Sequence, residues 1–258
     1  MRKGAWKGIL RTLLFLAAIA SPALTPSPSP GQNASINISN FESSVTVNGA
    51  KGLPRGWSLK VWRGRPDFKL VLVNGTGALR MRSEKAAFSL YRGLTVDLKT
   101  FPVLNWRWKV TKLPEKGDAR VSMRDDQAAG LYIIFPRFPR VINSRIIGYI
   151  WDSAIPEGTI LESRKNPMVH YIVVRSGRGR LGEWIGESRN VLEDYRKVFG
   201  ADPPKVGGVS IMIDSDDTRA KAESFFAQIQ FNHLSAAKIK SDPNAVVGDI
   251  LDDPVWSK

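Results

Sequence analysis

Residues 104–110 read Leu104-Asn105-Trp106-Arg107-Trp108-Lys109-Val110, four apolar side chains alternating with three polar ones. A period of two sends successive side chains to opposite faces of a pleated strand. Leu104, Trp106, Trp108 and Val110 therefore share a buried face, and Asn105, Arg107 and Lys109 share the other. A helix would mix the two sets. The alternation also runs upstream, with Leu79 and Met81 against Arg80 and Arg82, Phe88 and Leu90 against Ser89, and Leu94, Val96 and Leu98 against Thr95 and Asp97. Gly75, Gly77, Gly93 and Phe101-Pro102 interrupt it at the short intervals of antiparallel strands joined by turns, not the longer ones of strand-helix-strand units.

Further strands are expected over 128–135, 146–151, 168–175, 206–213 and 224–231. One segment has a different period. Trp184, Ser188, Val191, Leu192, Tyr195, Val198 and Phe199 fall at helical spacing and Gly200 supplies a stop, which predicts one amphipathic helix over 181–199. On it, Arg189 and Glu193 would form an i,i+4 ion pair. No unit recurs at a fixed spacing, which argues against a propeller or solenoid. The fold class is all-β: an antiparallel β-sandwich of jelly-roll type with one packed α-helix.

The domain boundaries follow from composition. Arg2, Lys3, Lys7 and Arg11 precede an apolar run from Leu13 to Ala20, with Ala18 and Ala20 placed as in an A-x-A cleavage signal; residues 1–20 read as a secretory signal peptide. The run is too short to span a bilayer, so no transmembrane segment is expected after processing. Residues 21–35 alternate Pro22, Pro26, Pro28 and Pro30 with serines and read as an extended linker. The sandwich occupies 36–231, and 232–258 reads as a mostly irregular tail. The expected location is therefore periplasmic or extracellular.

The 258 residues hold no cysteine, which removes thiol nucleophiles, disulfides and Cys-based zinc sites. With only His170 and His233, a multi-histidine metal centre would have to recruit carboxylates to reach three ligands. His170 alternates with Met168, Ile172 and Val174 and reads as a structural histidine of a strand. Loss of the four leader cations lowers the formal charge from +14 to +10, so the basic surplus belongs to the folded part. That balance points to an anionic neighbour, an envelope glycan or other anionic surface, and not to nucleic acid.

Several segments together resemble a bacterial family of exported proteins, domain-of-unknown-function family 3047, over about residues 41–231. They are Phe101 to Val110, Asp125-Asp126-Gln127-Ala128-Ala129, Tyr149-Ile150-Trp151, Val173-Val174-Arg175-Ser176-Gly177, Arg189-Asn190-Val191, Glu193-Asp194-Tyr195-Arg196 and Asp214-Ser215-Asp216-Asp217-Thr218. Gly130 departs from the arginine expected there. The resemblance implies a sandwich similar to galactose-binding-like and carbohydrate-binding modules.

Candidate residues gather on one strand face and at strand ends. Asn105, Arg107 and Lys109 offer an amide, a guanidinium fork and an ammonium to hydroxyls or an anion. With Asp125, Asp126 and Arg175 they form the expected ligand-binding set. Asp125 and Asp126 precede a strand, whereas Asp214, Asp216 and Asp217 follow one. Asp126 and Asp214 are the candidate acid and base should the protein cleave a glycan. Asp214 and Asp216 are the candidate metal ligands, with Ca²⁺ the cation that such oxygens suit, although no cofactor is required. The function expected is a non-catalytic, ligand-binding module of the cell envelope for carbohydrate or an anionic glycan. A hydrolase or lyase using the loop carboxylates and a structural, protein-interaction module stand beside it.

Overall fold

The alternation at 104–110 becomes a strand whose inward residues tie two sheets together. Trp106 and Trp108 are fully buried and meet edge to face at 5.4 Å. Trp106 reaches Tyr149 across the sandwich at 5.3 Å, and Trp108 reaches Trp151 at 5.9 Å. These rings bury large apolar area in preferred aromatic geometries, which makes this pair the centre of the core.

The computed structural model describes residues 35–39, 41, 52–73, 75–139 and 143–234. The elements in chain order are β1 (Ser35–Asn37), β2 (Ser58–Arg63), β3 (Asp67–Val73), β4 (Thr76–Glu84), β5 (Ala87–Val96), β6 (Val103–Lys112), β7 (Ala129–Phe135), β8 (Arg145–Asp152), β9 (Ile160–Glu162), β10 (Val169–Ser176), β11 (Ile185–Asn190), α1 (Val191–Phe199), β12 (Val206–Asp214) and β13 (Lys221–Asn232). A six-stranded sheet has the order β11-β6-β13-β4-β3, with β1 added along β13. A seven-stranded sheet has the order β2-β5-β12-β7-β8-β10-β9. The chain crosses between sheets from β4 through β7 and again from β10 to β13, so sequence neighbours face one another across the core. This is the jelly-roll sandwich expected from the alternation. The expected leader, and all of the linker and tail except Ser35 and 232–234, lie outside the described residues.

Strands β2 and β9 were not among those expected, Gly93 lies inside β5 instead of between strands, and two further details differ from the expectation. The β8–β10 pair is parallel, because the β9–β10 hairpin docks with its second strand against β8. The helix is shorter: 185–190 is strand β11, paired antiparallel with β6, and only 191–199 is helical. Asn190 accepts a bond from the Glu193 amide at 3.3 Å and caps the helix there, while Gly200 ends it at φ 65°. The strand was hidden because one of its inward residues is Glu187, a carboxylate where alternation looks for an apolar side chain. Arg189 thus lies on a strand, and its partner is Asp194, with Nε to Oδ2 at 3.0 Å, instead of Glu193.

The outer face of the seven-stranded sheet carries a second apolar cluster of Tyr132, Ile150, Val169, Tyr171 and Val173, roofed by Ala119 and Ile155 from loops. The Tyr132 ring lies against bare backbone there. A Cβ on Gly130 would stand 2.6 Å from it, and one on Gly148 2.8 Å. Any side chain at 130, the expected arginine included, would have to displace that ring.

Candidate functional site

The loops before β7 and after β12 converge, although about 90 residues separate them in the chain. Asp126, Asp214 and Asp216 each place a carboxylate oxygen within 4.8 Å of the others. Asp126 accepts from the amides of Asp217 at 3.1 Å and Thr218 at 2.7 Å, and from the Thr218 hydroxyl. Asp214 accepts from the Asp216 amide at 3.2 Å, and its own amide donates to the Gln127 carbonyl at 2.9 Å. Burial is the main force pushing the Asp214 carboxyl up to about 10, reinforced by a hydrogen bond to Asp216 and the charge of Asp126. Asp125 accepts from Gln127 at 2.6 Å and from the Tyr171 hydroxyl at 3.3 Å, and burial pushes it up to about 6. Burial and these carboxylates also push the Tyr132 and Tyr171 hydroxyls up. Ser163 connects this group to a cleft of about 440 Å³ lined by Arg120, Leu161, Glu162, Ser163, Arg164 and Pro167.

The aspartates singled out on opposite sides of β7 and β12 are therefore neighbours. Three carboxylates are hard donors of the kind Ca²⁺ takes, but they supply only part of its usual six to eight oxygens. Asp126 is fully buried with three donors on it, so it braces the loop and has no approach for a sugar. As an acid-base pair, Asp126 and Asp214 would have carboxylate oxygens within 4.8 Å of each other.

The outer face of the six-stranded sheet is the second assembly. Register sets Lys109 opposite Phe225, Phe225 opposite Arg80, and Arg80 opposite Lys69, one row across four strands. Trp184 completes it: its ring centroid is 6.3 Å from that of Phe225. The Lys109 ammonium sits 4.4 Å from the Phe225 centroid and 5.4 Å from that of Trp184, and the Arg107 guanidinium is 5.6 Å from Trp184. Burial lowers the Arg107 pKa, as expected for a cation seated on a sheet. Asn105, Arg107 and Lys109 thus face outward as the alternation required. Arg80 and Arg82 share the face but approach Glu223, at 3.9 and 2.5 Å. Arg175 is elsewhere: its guanidinium grips Glu187 with two bonds of 2.7 and 3.0 Å, and Glu187 also accepts from the Trp108 indole at 3.0 Å. It links the edges of the two sheets and is not brought together with Asn105, Arg107 and Lys109.

With the motif segments thus distributed over β6, β7, β8, β10, β11, β12 and α1, their common match is decisive. The chain belongs to the DUF3047 family. That family, described as proteins of unknown function, matches residues 55–230, more than half of the chain. No curated protein matches it. Among solved structures, the DUF3047 chain is similar to a family 30 carbohydrate-binding module of a Clostridium thermocellum cellulosomal cellulase, with a TM-score of 0.41, 12% identity, and coverage of 78% of this chain and 99% of that one. A family 29 carbohydrate-binding module complexed with mannohexaose gives 0.36 and 12%, covering 82% and 99%. A family 11 xylanase from Neocallimastix patriciarum gives 0.38 and 11%, covering 77% and 99%. Likenesses this loose leave the fold to be read from the strand register itself. Among the described residues of this DUF3047 chain, no helix is long and apolar enough to cross a membrane.

Sequence reasoning missed Phe225 and Trp184 as surface residues. Phe225 lies in an apolar stretch, Phe225-Phe226-Ala227, whose parity is ambiguous without a partner strand, and Trp184 was assigned to a helix face. The parity of Glu223 and Phe225, both opposite arginines of β4, is the signal that finds the first.

Proposed function

We propose that this DUF3047 protein is an exported, non-catalytic module that binds an anionic glycan of the cell envelope on the outer face of its six-stranded sheet. The observation that carries the reading is Lys109 seated between the Phe225 and Trp184 rings, with Arg107 beside it. A cation over an aromatic face stays available for an anion on its open side. The rings give the apolar side of a pyranose something to lie on, and the cations meet its carboxylate, sulfate or phosphate. The +10 formal charge that remains without the four leader cations supports the sign of the ligand, and the expected leader supports its place.

The test is binding to a panel of acidic polysaccharides and lipopolysaccharide across a salt series. Affinity falls steeply with added salt, since the attraction decays over a Debye length of about 8 Å at physiological ionic strength. Arg107→Ala costs about 1.5 to 3 kcal/mol, the scale of a lost charge-assisted hydrogen bond. Arg80→Ala costs less, because Asn105 and Lys109 lie two residues from Arg107 on the same face and form a convergent polar set with it. Affinity that is flat with salt and indifferent to Arg107→Ala removes this face as the site. Shortening of a bound polysaccharide that Asp214→Asn abolishes would instead make the protein a hydrolase or lyase.

A further inference from the structure

The Tyr132 device recurs on the seven-stranded sheet, this time uncovered. Tyr91 of β5 stands opposite Ser210 of β12, and its ring lies over Gly208: a Cβ there would come within 2.4 Å of a ring carbon. Gly93 lies beneath the hydroxyl end, and the hydroxyl donates to the Gly207 carbonyl at 3.2 Å. The ring is thus pinned flat by bare backbone below and by its own hydroxyl at the tip. Tyr132, with its loop roof, is 8% exposed; Tyr91, with no such roof among the described residues, is 37% exposed. Of the residues that register sets beside Tyr91 on this face, Ser58, Ser89, Gly93, Gly208, Ser210 and Met212 are uncharged, and Lys60, opposite Ser89, is a cation. Ser58 and Ser210 donate to backbone carbonyls at 3.3 and 3.2 Å, which leaves their oxygen lone pairs facing outward as acceptors. Farther along β2, Lys60 lies 4.8 Å from the ring of Trp62, which is 51% exposed.

We infer that Tyr91, on its floor of Gly207 and Gly208, is a stacking platform for a neutral saccharide, with the Ser58 and Ser210 hydroxyls accepting from sugar hydroxyls. A ring whose orientation is already fixed loses little freedom on binding, so the contact area converts efficiently to affinity. The uncharged residues directly opposite Tyr91, Ser58 and Ser210, match a neutral ligand, and Lys60 is turned to the Trp62 ring, whereas the opposite sheet matches an anionic one. The inference does not depend on the cationic face, and the two fail separately.

The experiment measures retention and affinity of the full chain on neutral probes, namely cellulose, mannan, xylan, β-1,3-glucan and their soluble hexasaccharides, in about 1 M salt, where the Debye length of about 3 Å silences the cationic face. Saturable binding to at least one probe is expected, with a perturbed tyrosine or tryptophan fluorescence. Tyr91→Ala weakens it about tenfold or more, Tyr91→Phe by less than about threefold, and both retain the wild-type far-UV spectrum. Gly208→Ala lifts the ring without removing it and weakens binding in the same direction as Tyr91→Ala. Failure to bind any of these probes overturns the platform, as does binding that Tyr91→Ala leaves unchanged. A concentration-dependent dimer that Tyr91→Ala dissociates, without saccharide binding, overturns it too and assigns the face to a second copy of the chain.

Discussion

Along the edge where β11 and α1 meet β8 and β10, each buried carboxylate faces a guanidinium, whereas at the loop pole beyond β12 buried carboxylates face one another. At the edge, Glu187 holds Arg175 and the Trp108 indole, and Asp194 holds Arg189 and accepts from the Tyr149 hydroxyl at 2.8 Å. At the pole, Asp125, Asp126, Asp214 and Asp216 have Lys165 and Arg63 as the cations near them, each paired outward to Asp217 or Asp216. Burial and neighbouring carboxylates push the Asp214 and Asp125 carboxyls up, whereas arginines meet the carboxylates at the edge. The lesson is that the edge pairs stitch the two sheets together, while the pole stores titratable protons beside an open cleft.

The largest expected effect breaks the edge. Glu187→Ala strands the Trp108 indole and leaves Arg175 only Glu157 at 3.5 Å, and it destabilises by about 3 kcal/mol, read as a lower urea midpoint with an unchanged slope. A loss under about 1 kcal/mol would mean that the edge is no more than a surface contact. At the pole, Asp126→Ala removes the acceptor of three donors and costs about 1.5 to 3 kcal/mol by the same measurement.

A smaller effect carries a sign. Asp214 has a folded pKa of about 10 against an ordinary 3.8, so between those values the folded state binds more protons than the unfolded one. Stability from this group is full below about pH 4 and declines as pH rises toward 10. Asp125 adds the same trend between 3.8 and about 6. Asp214→Asn abolishes its share, so the variant gains on wild type by about 1 kcal/mol between pH 5 and pH 8, discounted for proton sharing within the cluster. A constant difference across that range would show that the pole is ionised after all. The smallest expected effect is that of metal: if protons neutralise the pole, chelation and added Ca²⁺ both leave the melting temperature unchanged. A calcium-dependent rise would turn Asp126, Asp214 and Asp216 into ligands.

Much of the fold was legible because its signal is local. The strands over 104–110 and upstream show themselves by alternation within each strand, and the burial of Trp106 and Trp108 with Asn105, Arg107 and Lys109 outward needs no knowledge of neighbours. β11 was illegible for the converse reason: its inward Glu187 makes sense only beside Arg175, which lies on another strand of the other sheet. The candidate site was half legible. The aspartates were recognisable at strand ends, and the basic residues by parity, but nothing in either segment says which aspartates meet or which arginines are already paired.

By itself, then, the sequence determined the all-β class, the strand parities from β4 to β6 and the sign of the surface charge, because each depends on residues a few positions apart. The tertiary structure alone decided what those residues are for. Strand order made neighbours of Lys109 and Phe225, convergence of two distant loops pushed the Asp214 carboxyl up, and the β5–β12 register laid Tyr91 over Gly208. These outcomes depend on long-range pairing, where the interaction of two residues is set by the packing of everything between them.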